Sequence, residues 1–418
     1  MRRLAALLSL LVALTGALVV GSTSPASAEK RPVGFGMAAF GFGAKIKGGD
    51  LPIGSGPIAR AIVACNNVAG ITRDNATASV DLPGLGTIEG VETKVWTRKS
   101  GDTVSTYARH TIADVVLFEN VAGKLTITGI SSWVRAWHDA TGFHTDAKTN
   151  VLGLKYKPPG LPAQTLPLPS LGQPIKIPGV ATIGLGGSTQ VHGKHRALSE
   201  ATGLRVHLDA TNTTVALARA VARMGEAPEG VFGGIAYGLK ASVLGDIVGV
   251  GATPQVFMPC AGTDGQVLSS SIVSVPIPGV LDAGVGEVSE KTMHTAKANS
   301  AWEKATIADV DLLGGAVHIE GVQARAFVKR IKGKRALIRN AIGTHTAVIT
   351  INGTSYDLDQ LTANPIEIPG LVKIEGNLVK KLKGGLEVTA LRVTLLDGSG
   401  AVVDLGVART RVGRVPHS

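Results

Sequence analysis

The chain has 418 residues and carries 42 lysines and arginines against 31 aspartates and glutamates, for a formal net charge of +11. Its 54 glycines, 20 prolines and 4% aromatic residues, with valine and isoleucine recurring throughout, point to many short strands separated by tight turns, an all-β class. The scarcity of aromatics argues against a nucleic-acid partner despite the positive charge.

Arg2 and Arg3 precede an apolar run from Leu4 to Val20, followed by Gly21 to Pro25 and then Ala26-Ser27-Ala28. This pattern predicts a secretory signal peptide over residues 1–28, cleaved after Ala28. No cysteine closes the apolar run, so no lipoprotein attachment is expected, and loss of Arg2 and Arg3 takes the formal charge to +9. No later stretch reaches the ~20 apolar residues that a membrane-spanning helix needs. A basic exported protein is drawn to anionic polymers such as wall teichoic acids, or to phospholipid headgroups, within screening distance. The expected location is therefore secreted or wall-associated, with an anionic cell-wall polymer or another envelope component as partner.

The body of the chain repeats itself. Thr111-Ile112-Ala113-Asp114-Val115 returns as Thr306-Ile307-Ala308-Asp309-Val310, and Cys65 and Cys260 share the same offset of 195 residues. Earlier, Ala39-Phe40-Gly41-Phe42 matches Ala236-Tyr237-Gly238-Leu239. Later, the segment from Gly123 to Ile130 matches that from Gly315 to Val322. Apolar parity in both switches at a glycine, from Leu125 and Ile127 to Ile130, and from Val317 and Ile319 to Val322, which predicts β-bulges at Gly129 and Gly321. Pro174-Ile175-Lys176-Ile177-Pro178-Gly179 matches Pro365-Ile366-Glu367-Ile368-Pro369-Gly370 and reads as an edge strand entering a turn, with Lys176 and Glu367 facing solvent. Leu204 to Leu208 matches Leu391 to Leu395, and Asp397-Gly398 predicts a hairpin turn. The segment from Thr214 to Met224 is rich enough in alanine to pass for a helix, but its partner alternates Val403, Leu405 and Val407 with Asp404 and Gly406, so both are read as strands. The expected organisation is a first β domain over residues 29–225 and a second over 226–418, both antiparallel and sandwich-like.

Several of these residues resemble a known family. The TIADV-type strands, the V-x-I-N-G hairpin at Ile349-Thr350-Ile351-Asn352-Gly353, the Ile368-Pro369-Gly370 turn and the closing strand Ala390-Leu391-Arg392-Val393-Thr394 resemble the actinobacterial choice-of-anchor P family. The resemblance covers essentially the whole mature chain and is fuller in the second half, because Leu154 to Lys157 replaces the hairpin motif in the first. It implies an exported surface or secreted protein of unassigned biochemical role. The segment from Arg409 to Ser418 carries no sorting motif, so release or noncovalent retention is expected rather than covalent attachment.

Two cysteines at equivalent places in an exported chain suggest a disulfide between Cys65 and Cys260; two inherited buried thiols are the alternative. After the paired glycines the two copies diverge. The first carries Trp133, Arg135, Trp137, His138, Asp139, Phe143 and His144, and the second Arg325, Lys329, Arg330, Lys332, Lys334, Arg335 and Arg339. The cations could hold an anionic polymer or merely protect a sheet edge, and the tryptophans could stack on sugars or simply pack on the sheet. His192 and His195 have no third metal ligand in view, and no nucleophile elbow, phosphate loop or zinc signature is present. No catalytic residue, metal or cofactor is assigned. The expected function is a non-catalytic structural or binding protein; the alternatives are an extracellular hydrolase with an unrecognised site and a carbohydrate-binding module.

Overall fold

The structure, a computed structural model, describes residues 30–47, 58–82, 85–120, 123–210, 212–243, 248–277, 281–334, 336–346, 348–356, 365–396, 398 and 400–413. The expected signal peptide and Asp397 lie outside the described residues. The elements are strands, apart from one 3-10 turn at Leu313–Gly315, and no helix among them is long and apolar enough to cross a membrane.

The first half builds two antiparallel sheets. One runs β10 (Ile175–Ile177), β11 (Ala181–Leu185), β13 (Arg196–Leu208), β14 (Thr213–Glu226), β1 (Arg31–Lys47) and β2 (Ala61–Ala69), with β12 (Ser188–His192) beside β13. The other runs β3 (Thr72–Leu82), β4 (Gly86–Ser100), β5 (Thr103–Asn120), β6 (Gly123–Asp139), β8 (Gly153–Lys157) and β9 (Gln164–Thr165), with β7 (Gly142–Asn150) beside β6. Inward residues of both sheets meet in shared clusters, Ile88 and Ile127 from one against Leu204 and Val215 from the other, which makes the half a sandwich. The alanine-rich segment from Thr214 to Met224 is a strand, as its alternation predicts.

The second half repeats the plan. One sheet runs β16 (Val248–Phe257), β15 (Phe232–Val243), β29 (Val402–Val412), β28 (Gly385–Leu395), β27 (Val372–Leu382) and β26 (Ile366–Ile368). The facing sheet runs β17 (Leu268–Ile272), β20 (Gly286–His294), β21 (Ala298–Leu312), β22 (Val317–Ile331), β24 (Val348–Ile351) and β25 (Thr354–Tyr356). Two short strands, β18 (Val275–Ile277) and β19 (Leu281–Ala283), extend it alongside β21, and β23 (Leu337–Asn340) flanks β22. Asn352 and Gly353 both take positive φ in the turn between β24 and β25, the conformation an Asn-Gly hairpin requires. The Ile-Pro-Gly strands β10 and β26 are sheet edges, and Lys176 and Glu367 are exposed on them.

The parity switch at Gly129 differs from a β-bulge. Ile112 pairs with Ile130 and Asp114 with Thr128, so the register passes unbroken across Ala113 and Gly129. The inward parity flips in the neighbouring strands as well, from Ile112 to Val115 on β5 and from Ile88 to Val91 on β4. Gly129 and Gly90 take φ of 63° and 60°. Instead of one strand gaining a residue, adjacent strands kink together, and the sheet carries a fault line. The second half does the same across Ala308 and Gly321, where Ile307 pairs with Val322 and Asp309 with Glu320. The opposite sheets kink too, through Gly43 and Ala218 in the first half and through Gly238 and Gly406 in the second. That makes Gly43 the counterpart of Gly238, so the first strands align two residues away from the pairing that sequence identity alone suggests. The shared physical reason is geometric: on each sheet a crossing strand takes a left-handed backbone, which glycine adopts freely at Gly90, Gly129, Gly321 and Gly406 and which Ala218 adopts at φ 56°.

Along the first half's fault lies a row of buried polar residues. Thr93, His110 and Ser132 are cross-strand neighbours on β4, β5 and β6, and all are fully or almost fully buried. They separate two apolar clusters, one around Ile112 and Ile130 and the other around Ala108 and Val134.

Candidate functional site

The two cysteines meet where the halves meet. Cys65 on β2 and Cys260, just after β16, are joined by a disulfide with Cα atoms 5.1 Å apart. Each cysteine lies against a glycine of the opposite half's first strand: a Cβ at Gly36 would sit 2.8 Å from that of Cys260, and one at Gly233 would sit 3.4 Å from that of Cys65. At Gly36 a larger side chain would collide with Cys260, whereas at Gly233 a methyl group would only reach van der Waals contact with Cys65. The connecting segment is tied down as well, since the amide of Ala227 donates to Gly34 and the Asn299 side chain donates to the Glu229 carbonyl.

Strand alternation decides where the first-half residues point. On β6, Val134 and Ala136 face the core, so Trp133, Arg135 and Trp137 face outward. Register extends this face across four strands, β4 to β7. Lys94, Arg109, Trp133 and Lys148 form one row, Trp96, Tyr107, Arg135 and Asp146 the next, and Arg98, Ser105, Trp137 and His144 a third. The rings and cations touch: Trp96 stacks on Tyr107 with centroids 4.7 Å apart, and Tyr107 lies 6.2 Å from Trp133. The Arg135 guanidinium sits 4.3 Å from the Trp137 ring and 5.4 Å from Tyr107, and Lys148 lies 5.6 Å from Trp133. His144 stacks on Trp137 at 5.1 Å.

One carboxylate anchors the end of this face. Asp139 accepts hydrogen bonds from the Thr141 hydroxyl and amide and from the Trp137 indole, and lies 3.1 Å from His144 Nε2. Those hydrogen bonds, with Thr141 the largest contributor, hold its carboxyl well below the usual range. His138 and Phe143 do not belong to the face. His138 packs against Phe35 and Phe143 at 4.6 and 4.7 Å on the other side of β6. Odd and even residues of one strand serve opposite surfaces, so a list of neighbours in sequence mixes two sites. Trp96, Tyr107, Arg109 and Lys148 were invisible to a reading of one hairpin; the period-two parity of β4 and β5 is the signal that would have found them.

The cations expected to form a basic edge in the second half disperse. Arg330 is buried and donates through Nε and Nη2 to the Val412 carbonyl. Arg339 donates to the Gly385 and Leu382 carbonyls, and Lys332 pairs with Glu229. Arg325 lies 5.9 Å from the Trp302 ring, Lys329 faces outward half-buried, Lys334 is exposed, and Arg335 lies outside the described residues. Alternation again explains the scatter, because it turns Arg330 inward.

A pair of carboxyls that sequence reading missed lies in the second core. Glu290 on β20 and Glu303 on β21 are cross-strand neighbours, and both are wholly buried. Burial pushes Glu290 up to about 7, and burial together with the Glu290 charge raises Glu303 well above its ordinary value. No donor from another residue reaches their oxygens, and the buried Thr410 hydroxyl opposite is also unpartnered. Coupled carboxyls can act as an acid and base, but these face the closed interior between sheets and no reacting group can reach them. Of the histidines considered for metal, His195 pairs with Glu226 at 2.8 Å while His192 Nδ1 lies 3.5 Å from the Thr145 hydroxyl, and no group of three metal-ligating side chains occurs among the described residues.

No family model matches the chain, and no curated protein matches it. Among solved structures, that of Ail, the attachment invasion locus protein of Yersinia pestis, aligns over 46% of this chain and 96% of that chain at 10% identity, with a TM-score of 0.12. So low a score carries no argument about this fold or its function.

Proposed function

We propose that the chain is an exported, non-catalytic binding protein of the choice-of-anchor P type, held noncovalently to an anionic envelope polymer. The observation that carries this reading is the outer face of β4 to β7, where Trp96, Tyr107, Trp133 and Trp137 stand among Arg135, Arg109, Lys94 and Lys148. Half-buried aromatics with cations over them on a solvent-facing sheet suit a polymer that offers apolar sugar faces and anionic groups together. The support comes from rows of side chains across strands, so the role falls to a sheet face and not to a hairpin tip. A hydrolase reading has less support, because the two carboxyls with raised pKa, Glu290 and Glu303, are enclosed in the second core, and Asp139 on the outer face is held ionised by its hydrogen bonds.

Fractionation of a producing culture into medium, salt-washed wall and membrane tests the proposal. Recovery in the medium and in the salt wash is expected, since electrostatic retention weakens as ions screen it. Recovery in membranes that resist salt would contradict both export with cleavage and electrostatic retention.

A further inference from the structure

The outer faces of the two halves can be laid over each other, because the paired strands share offsets of 195 residues on β5 and β21 and 192 on β6 and β22. The row of Trp96, Tyr107, Arg135 and Asp146 then corresponds to Lys291, Trp302, Phe327 and Asn340, which are likewise in register across β20, β21, β22 and β23. Trp133 corresponds to Arg325 and Trp137 to Lys329. At each of these positions an aromatic in one half is replaced by a cation in the other, and Arg135 by Phe327. The centre keeps its aromatic character, Tyr107 in one half and Trp302 in the other, and beside it Arg109 is matched by the cation Lys304 and Ser105 by Ser300. The two halves therefore differ less in chemistry than β6 and β22 suggest alone. Each outer face has an aromatic centre ringed by aromatics and cations, in a permuted order.

The second face has its own contacts. Trp302 is half-buried on a solvent-facing strand, its ring 5.9 Å from the Arg325 guanidinium. Lys291 and Phe327 flank it in register on either side, and Lys304 lies beside Arg325. Lys291, Lys304 and Lys329 form no ion pair among the described residues, so their charges stay available to a ligand. The inward neighbours Ala301, Ala305 and Ala326 are in the core, which fixes the strands that carry the face.

We infer that the outer face of β20 to β23, centred on Trp302, is a second binding patch for an acidic glycan, making the protein bivalent. This rests on the proposed function, whose ligand it narrows to a sugar polymer bearing carboxylate or phosphate groups. An indole presents a flat apolar surface to the carbon–hydrogen face of a sugar ring, and the surrounding lysines and Arg325 meet its anionic substituents. Two linked patches raise the apparent affinity for a long polymer without any new contact, provided that the chain can span them.

The test uses the full disulfide-linked chain and two probes, a uronic-acid oligomer of about six sugars and the parent polyuronate, because length is what separates single-site binding from avidity. Calorimetric titration with the oligomer should give two sites per chain. Trp302→Ala should leave one site of unchanged affinity, and should weaken binding to the long polymer on the order of tenfold or more. Lys291→Glu, an outward substitution that leaves the core untouched, should weaken the same site if Trp302→Ala does not fold. One oligomer per chain, unaffected by Trp302→Ala and Lys291→Glu, overturns the second patch and leaves the first reading standing. Absence of binding by either probe, with isolated wall polymer still bound, overturns the second patch and leaves the first reading standing; absence of binding by wall polymer as well overturns both. Loss of self-association on Trp302→Ala, with no change in oligomer binding, would assign this face to a second copy of the chain and also overturn the inference.

Discussion

Glu290 and Glu303 face each other across β20 and β21 with no solvent contact and no donor but a proton to hold them together. An acid whose pKa is raised by folding binds more protons in the folded state. Its contribution to stability is thus fully present below the ordinary glutamate value and is lost as pH rises through the folded one. For Glu290 that loss runs up to about pH 7, and for Glu303 it extends higher. Melting followed against pH should show stability falling from weakly acidic to alkaline solution. Glu303→Gln keeps the shape and removes the charge, and should raise Tm near pH 8.5 by roughly 5 °C, a size that follows from the melting entropy of a domain this large. An unchanged alkaline limb in that variant would mean that the pair is not sealed.

His110 should produce the opposite dependence in the first half. Burial lowers its pKa to about 3, its Nδ1 lies 2.5 Å from the Thr93 hydroxyl, and its Nε2 has no partner. A histidine kept neutral by folding binds fewer protons folded than unfolded. Stability is therefore present above its ordinary value and is lost as pH falls toward 3. Calorimetry of the whole protein should resolve two transitions that move in opposite directions, one falling in acid and abolished as an acid-sensitive step by His110→Gln, the other falling in alkali.

Gly129 should be among the least replaceable glycines. Its φ is 63°, and a Cβ there would collide with the Leu152 side chain. Gly129→Ala should cost about 2 kcal/mol or more, combining left-handed strain with lost packing. Gly101, at φ 58° and with open space where a Cβ would stand, separates the two contributions: Gly101→Ala suffers only the backbone cost. Denaturant titration of both variants measures the difference, and equal losses would remove the packing contribution.

Reduction of the bridge between Cys65 and Cys260 should lower stability by at most ~4–5 kcal/mol, the chain-entropy ceiling for so long a loop. A nonreducing peptide map should recover the linked fragment. Because each half has its own core, the β signal in far-ultraviolet dichroism should survive reduction at ambient temperature. Its collapse would show that the halves depend on the bridge for folding.

Much of this architecture was legible in residue patterns. Alternation of Val403, Leu405 and Val407 identified β29 and, through it, β14; the Ile-Pro-Gly runs gave the edge strands; and Gly129 and Gly321 marked real discontinuities. The nature of the discontinuity was hidden, because a parity switch in one strand looks the same whether its neighbour slips or kinks with it. The binding face was half visible for a related reason. Trp133 and Trp137 share parity, but only register brings Trp96, Tyr107 and Lys148 beside them. Glu303 was readable in principle: it shares parity with Ala301, Ala305 and Ile307, so an alternating strand had to bury it. Its partner Glu290 becomes evident only once β20 is paired with β21.

The binding face itself is tested most directly by titrating isolated anionic wall polymer against the protein while following tryptophan fluorescence, for the native chain and for a Trp133→Ala, Trp137→Ala variant. Saturable quenching that weakens with added salt, and that drops on the order of tenfold in apparent affinity in the variant, is the predicted result, in line with the loss expected from two stacking aromatics. Saturable binding of equal affinity by both proteins, or none by the native chain, would contradict the assignment of this face as the site of polymer recognition.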